Sequence, residues 1–305
     1  MEIVKGLDFW LRESSVSLGK FDGIHQGHRY LLNKVLKQDK FIPTVFTFES
    51  NMAVSKIYTQ KEKDYILEKM GICREVIFPF NEETKNMSPE KFIKEILVKK
   101  MDVRHICVGT DFHFGRNREG DIHTLEHFQD QYHYKLDIVP KLTLGNEIIS
   151  STLVRNLMEQ GNLSRVNELL GAPYFVIGEV LHGNALGRTM NMPTANILPD
   201  GEKKLLPYGV YATTVKVQDK QYFGVTNVGK KPTIGEYAVG VETFIMDFHE
   251  DIYGEMIQVF FHDFIREEKR FDGIAALHRQ IERDKETARR MLAERFLSNR
   301  KLLVT

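Results

Sequence analysis

The chain has 305 residues, 42% of them apolar and 28% charged, with 42 basic and 42 acidic side chains. That length suits two domains, each able to bury a core. The charge balance excludes a globally basic nucleic-acid footprint. No apolar run is long enough to span a membrane, and the charged opening MEIVKGLDFWLRESS is not a signal peptide. The expectation is a cytoplasmic protein. The two cysteines, Cys73 and Cys107, fit no zinc spacing and read as buried thiols in a reducing compartment.

The first half alternates strand and helix patterns. SVSLGKF reads as a strand, and GHRYLLNKVLKQ puts Leu31, Leu32, Val35 and Leu36 on one helical face. FIPTVFTF is a second strand. TQKEKDYILEKMG opens on the capping-box spacing of Thr59 and Glu62 and stops at Gly71. EVIFPF is a strand, SPEKFIKEILVKK a helix with Ser88 as N-cap and Pro89 first, and RHICVGTDF and KLDIVP are further strands. Such alternation predicts a parallel sheet covered on both faces, with ligands at the carboxyl ends of its strands. After Pro173 the pattern changes. YFVIGEVLHG, GVYATTVKV, QYFGVTNVG, VETFIMDF and EMIQVFFHDF are strand-like runs separated by turns, which predicts an antiparallel barrel or sandwich. A helix from about Asp272 to Phe296 closes the chain. The expected domains are 1–172 and 173–305.

Three stretches carry chemistry. SLGKFDGIHQGHRYLL (Ser17 to Leu32) places His25 and His28 at a helix mouth among Gly19, Phe21, Asp22, Gly23 and Gly27. Helix-start N–H groups attract anions, glycines admit a phosphate, and imidazoles donate to oxygens gaining charge. Alone, two histidines would be a solvated turn; the glycines around them reverse that. ISSTLVRNLMEQGNL sets the hydroxyls of Ser150, Ser151 and Thr152 at a helix start, with Arg155 one turn in. Alone, SST is an ordinary N-cap. GEVLHGNALGRTMNMPTANI combines Gly183, Gly187 and Arg188 with the oxygen ligands Thr194 and Asn196, which suit Mg²⁺ beside phosphates.

The first string resembles the G-x-F-D-x-x-H-x-G-H signature of the nucleotidylyltransferase superfamily. VGTDFHFGRNREG and the SST stretch look like its FAD-synthetase branch. That resemblance implies a Rossmann-like domain in which His25 and His28 stabilise departure of pyrophosphate. Gly19, Phe21, Asp22, Gly23, Gly27, Ser150, Ser151, Thr152 and Arg155 would hold ATP, and Asp111 and Phe112 would lie at the flavin. The T-F-x-P-H-P loop usual in bacterial members is replaced here: Thr47 and Phe48 are followed by ESNMAVSKIYTQKEK, without the prolines or the histidine.

The second half resembles riboflavin kinase through HGNALGR, MPTAN, LPYGVYA, GVTNVGKKPT, VETFIMDF, DIYGE and FIREEKRF, in family order. The implied fold is a six-stranded barrel with a terminal helix. By position, Glu242 is the implied base toward the ribityl 5′-hydroxyl, and Thr194 and Asn196 hold Mg²⁺-ATP. Gly183, Gly187 and Arg188 cover phosphates, and Arg266 and Phe271 border the flavin. Asn191-Met192 stands where the family usually has Gly-Phe. The whole chain therefore resembles the bacterial bifunctional riboflavin kinase/FAD synthetases. This implies riboflavin, FMN and ATP as partners, Mg²⁺ as cofactor, and neither nucleic acid nor membrane. Two alternatives stay open: a kinase with a silent N-terminal nucleotide-binding domain, and a non-catalytic flavin-binding regulator.

Overall fold

The structure is a computed structural model that describes residues 1–49, 55–182, 194–230 and 239–302, with side chains to 297. The chain forms two compact units: Met1–Val54 with Gln60–Ser151, and Ser55–Thr59 with Thr152–Thr305.

In the first unit the order is β1 (Glu2–Lys5), β2 (Ser14–Leu18), α1 (Gln26–Leu36), β3 (Ile42–Phe48), α2 (Gln60–Met70), β4 (Arg74–Phe78), α3 (Glu82–Lys85), α4 (Pro89–Lys91), β5 (Val103–Gly109), α5 (Ile122–Tyr132) and β6 (Lys135–Val139), followed by the hairpin β7 (Thr143–Leu144) and β8 (Glu147–Ile148). The six long strands form one sheet ordered β1-β4-β3-β2-β5-β6, with every pair parallel. β2 is buried at all five positions, as expected of a strand covered on both faces. From β2 the chain adds β3 and β4 on one side, then returns to place β5 on the other. The crevice of such a sheet opens where the order reverses, outside the carboxyl ends of β2 and β5.

Two elements differ from the expected pattern. β1 is a short edge strand of only four residues, exposed at three of them, too short for its Ile3-Val4 pair to give a periodic signal. The helix begun by Ser88 and Pro89 becomes a π-helix over Phe92–Lys100. The wider turn puts Phe92, Ile96, Leu97 and Met101 all inward, against Phe46, Phe78 and Phe114. Cys107 is buried as expected, and burial pushes its thiol up to about 12. Cys73 is instead exposed, because it lies in the turn between Gly71 and β4.

The remaining elements are α6 (Ser151–Glu159), α7 (Leu163–Leu170), β9 (Tyr174–Glu179), β10 (Thr194–Ile197), β11 (Gly209–Val217), β12 (Lys220–Lys230), β13 (Val239–Ile245), β14 (Met256–Arg266) and α8 (Ile274–Leu302). α6 starts at the last residue of the first unit and continues in the second. The second unit's strands form an antiparallel sheet ordered β10-β13-β12-β11-β14-β9. Leu181 donates its N–H to the Asn196 carbonyl at 2.8 Å and so joins the two edges. Closure of this kind leaves no long open edge. Ala288 and Leu292 of α8 are buried against Val210, Ala212, Val225 and Met246.

Residues 55–59 complete this unit from a distant part of the sequence. The Lys56 N–H bonds the Glu202 carbonyl at 2.7 Å, and the Lys56 carbonyl accepts from Lys204 N–H at 2.7 Å. The buried Lys203 ammonium lies 4.5 Å from the ring centres of both Tyr58 and Tyr174 and donates to the Phe175 carbonyl at 2.9 Å.

Candidate active sites

The loop after β2 makes a costly turn. Phe21 (φ 49°), Gly23 (φ 81°) and Ile24 (φ 38°) all adopt left-handed backbone. For a β-branched residue such as Ile24 this conformation is strained. Burial holds it: Phe21 is 1% and Ile24 0% exposed. The Gly19 N–H is tied to the Phe46 carbonyl at 3.0 Å. The result sets His25 as N-cap of α1, its Nδ1 accepting from the His28 N–H at 3.3 Å. The two rings stack at 3.7 Å. Gly27 lies close under that stack: a Cβ there would stand 3.2 Å from the His25 ring and press on it.

This geometry fixes the chemistry of His25. Burial lowers its pKa to about 4, against a weaker opposing backbone hydrogen bond, so the ring is neutral at pH 7. A neutral ring whose Nδ1 accepts carries its proton on Nε2, which is therefore a donor. Burial, and then the neighbouring His25, also hold the His28 pKa well below the ordinary histidine range. The buried His28 Nδ1 has no hydrogen-bond partner among the described residues.

Ser151 joins the loop from the start of α6: its Oγ donates to the Asp22 carbonyl at 2.7 Å. The backbone of Asp22, not its carboxylate, makes this link. Ser150 is half-buried beside it and Thr152 is exposed. The Arg155 Nε donates to the Ser55 carbonyl at 3.4 Å, within the second unit. After β5, Phe112 N–H bonds the Gly109 carbonyl at 3.1 Å, and its ring stacks on Phe114 at 5.5 Å. The Asp111 carboxylate pairs with Lys141 at 2.9 Å. These turns stand at the carboxyl ends of β2 and β5, the two strands that flank the reversal of order.

A second polar array in this unit runs Ser15 Oγ to His105 Nδ1 at 2.8 Å and His105 Nε2 to Asp137 at 3.2 Å. It has the residue types of a hydrolase triad. Ser15 and His105 are fully buried, so no substrate reaches the hydroxyl, and the array is structural.

In the second unit, register builds the site. Glu242 on β13 faces Asn196 on β10 and Asn227 on β12. Directly paired strand residues share a face, and Thr194 shares it two residues before Asn196. Thr194 Oγ1 donates to Glu242 Oε1 at 2.7 Å. A cleft of about 330 Å³ opens beside Thr194, lined also by Phe248, His249 and Tyr253. Arg266 and Phe271 lie in the segment leading to α8. The Arg266 guanidinium grips the Asp284 carboxylate, with Nε at 3.0 Å and Nη2 at 2.7 Å, and lies 5.7 Å from the centre of the Phe271 ring. Its fork is thus occupied within the protein. Gly183, Gly187, Arg188, Asn191 and Met192 lie outside the described residues, as do residues 50–54 of the loop after Phe48.

Sequence reasoning did not single out Asn227 or Glu268. Asn227 Nδ2 donates to Glu268 Oε1 at 3.1 Å. The signal was available: Asn227 lies in the GVTNVG run, but only strand register shows that it neighbours Glu242.

The fold and the two polar constellations define a two-part, ATP-using transferase. Comparisons with known proteins agree. Residues 170–292 match the riboflavin kinase family and residues 10–153 the FAD synthetase family. Bifunctional riboflavin kinase/FMN adenylyltransferases are similar over nearly the full length. That of Listeria monocytogenes is 32% identical, covering 94% of this chain and 95% of its own. That of Haemophilus influenzae is 33% identical, covering 95% and 98%. That of Escherichia coli K12 is 34% identical, covering 90% and 91%. The chain belongs to the bifunctional riboflavin kinase/FMN adenylyltransferase family. A Streptococcus pneumoniae crystal structure described as a macrolide-efflux protein also shares the fold, with a TM-score of 0.81, 29% identity and coverage of 95% and 99%. Among the described residues of this chain, no helix is long and apolar enough to cross a membrane.

Proposed function

We propose that this chain phosphorylates riboflavin to FMN in a domain of residues 173–305 and adenylylates FMN to FAD in a domain of residues 1–172. In the kinase step Glu242 takes the proton of the ribityl 5′-hydroxyl as that oxygen bonds to the γ-phosphorus of ATP, and ADP leaves. Little covalent help is needed in so loose a transition state. The Thr194 hydroxyl, at 2.7 Å from Glu242 Oε1, orients the base.

Thr194 and Asn196 offer neutral oxygens, and among the described residues no group of three His, Cys, Asp or Glu forms a cation cage. That donor set suits Mg²⁺ brought with ATP, which takes most of its ligands from phosphate and water. When bound, Mg²⁺ neutralises phosphate charge. Gly183, Gly187 and Arg188 are assigned to cover the phosphates.

In the second reaction a phosphate oxygen of FMN attacks the α-phosphorus of ATP and pyrophosphate departs. The His25 Nε2–H donates to oxygens that gain charge, and His28 stacks beside it. Gly19, Phe21, Asp22, Gly23 and Gly27 shape the phosphate seat. Ser150, Ser151, Thr152 and Arg155 are assigned to the triphosphate, and Phe112, with Asp111, to the flavin. Phe271, braced by Arg266, borders the kinase flavin site. The proposed location is the cytoplasm, and the proposed partners are riboflavin, FMN and ATP, without nucleic acid or membrane.

The observation that supports this reading is that Glu242 meets two residues of β10, Asn196 directly opposite in register and Thr194 through a 2.7 Å hydrogen bond. A second reading, kinase alone, is favoured by the loss of the P-H-P loop after Phe48. Incubation with riboflavin, ATP and Mg²⁺, with products separated over time, tests both. FMN followed by FAD is expected. FMN alone selects the second reading, and neither product overturns both.

A further inference from the structure

Asn227 stands in register beside Glu242, on the face that also carries Thr194 and Asn196. Its amide has two ends, one donating and one accepting, and which end faces the site is a chemical question. Glu268 answers it. An ionised carboxylate only accepts, so the atom that meets Glu268 Oε1 at 3.1 Å is the amide nitrogen. The carbonyl oxygen Oδ1 is thereby fixed as an acceptor.

The carboxylate also has a seat. A Cβ at residue 229 would stand 2.0 Å from Glu268 Oε1 and 3.2 Å from Asn227 Nδ2. Gly229 therefore leaves bare backbone where the carboxylate lies. Gly229 is absent from the left-handed positions, so an alanine there is conformationally allowed. Glu268 itself is anchored between two fixed points, β14 ending at Arg266 and α8 beginning at Ile274, with Arg266 clamped to Asp284.

We infer that Asn227 is a specificity-determining residue of the kinase site: its Oδ1, oriented by Glu268, accepts a hydrogen bond from an internal hydroxyl of the ribityl chain. Glu268 is a positioning residue that acts through Asn227. This rests on the kinase reading above. The chemistry follows from neighbourhood. Glu242 addresses the terminal hydroxyl, and the residue beside it on the adjacent strand meets the next part of the same polyol. A site built to bond a hydroxyl rejects an analogue that lacks it.

The test uses the full-length protein with Mg²⁺-ATP and compares riboflavin with its 3′-deoxy and 4′-deoxy side-chain analogues, counting FMN and FAD together. Wild type is expected to disfavour at least one analogue by about tenfold in kcat/KM. Asn227→Ala is expected to raise the riboflavin KM about tenfold with little change in kcat, and to treat riboflavin and that analogue alike. Glu268→Gln frees the amide to turn and gives a smaller loss of the same kind. Gly229→Ala expels the carboxylate and should match it. The pair Asn227→Asp with Glu268→Gln reverses donor and acceptor and should restore discrimination, which a merely structural role would not do.

Intact discrimination in folded Asn227→Ala and Gly229→Ala overturns the inference. So does an equal fall in kcat for riboflavin and analogue. Absence of FMN from the wild-type protein would instead overturn the kinase reading on which the inference rests.

Discussion

The two candidate sites are built by opposite means. The first rests on a loop whose backbone is held in strained conformations by burial of Phe21 and Ile24, and its histidines are neutral because they too are buried. The second rests on strand register: Thr194, Asn196, Glu242 and Asn227 share a face because β10, β13 and β12 pair as they do. A loop site of this kind depends on packing that lies behind it. A register site depends on the sheet as a whole, because pairing decides which side chains share a face.

That contrast can be broken by substitution. Glu242→Gln should lower FMN formation by about 10³-fold while FAD formation from supplied FMN stays unchanged; comparable loss of both products would deny separate sites. His28→Ala should do the converse, with FAD formation falling by about 10²-fold and FMN formation kept, measured by the same product separation.

Arg266→Met leaves the buried Asp284 carboxylate with the Gln280 amide but without its cation, so about 3 kcal/mol of the second unit's stability should be lost, read as a lower urea midpoint for that unit. Retained stability would mean that the clamp is dispensable.

The smallest effect sharpens the comparison through pH. Burial lowers His25 in the first unit and His262 in the second, each to about 4. An unfolded histidine takes up its proton near pH 6.5, while these folded ones do not. Their contribution, on the order of 3 kcal/mol each at most, is therefore complete above that pH and lost as pH falls from 6.5 toward 4. Urea midpoints at pH 7.5 and 5.5 should fall for both units, and His262→Gln should reduce the slope for the second unit alone.

Much of this molecule was legible in its sequence because the signal was local. Five of the six long strands of the parallel sheet follow from apolar runs, and the histidine loop from its glycines and a helix start. What was hidden depends on partners far along the chain. β1 is too short to show a period, and only its pairing with β4 makes it a strand of the sheet. Nothing near Tyr58 announces that it packs with Tyr174 and Lys203. Cys73 and Cys107 look alike in composition and differ because one ends in a turn and the other in the centre of β5. Arg266 is assigned to the flavin site by resemblance, and its pairing with Asp284 is invisible until α8 is folded against β14. Asn227 has no meaning until β12 is laid beside β13.

The central claim is that one chain directs two oxygens at two different phosphorus atoms of ATP. It is tested most directly by supplying riboflavin with ATP labelled at either the γ- or the α-phosphorus. The account predicts γ-label in FMN, carried on into FAD, and α-label in FAD alone, with His28→Ala slowing FAD labelling by about 10²-fold and leaving FMN labelling intact. Appearance of α-label in FMN, or absence of α-label from every flavin product of the wild-type protein, would contradict it.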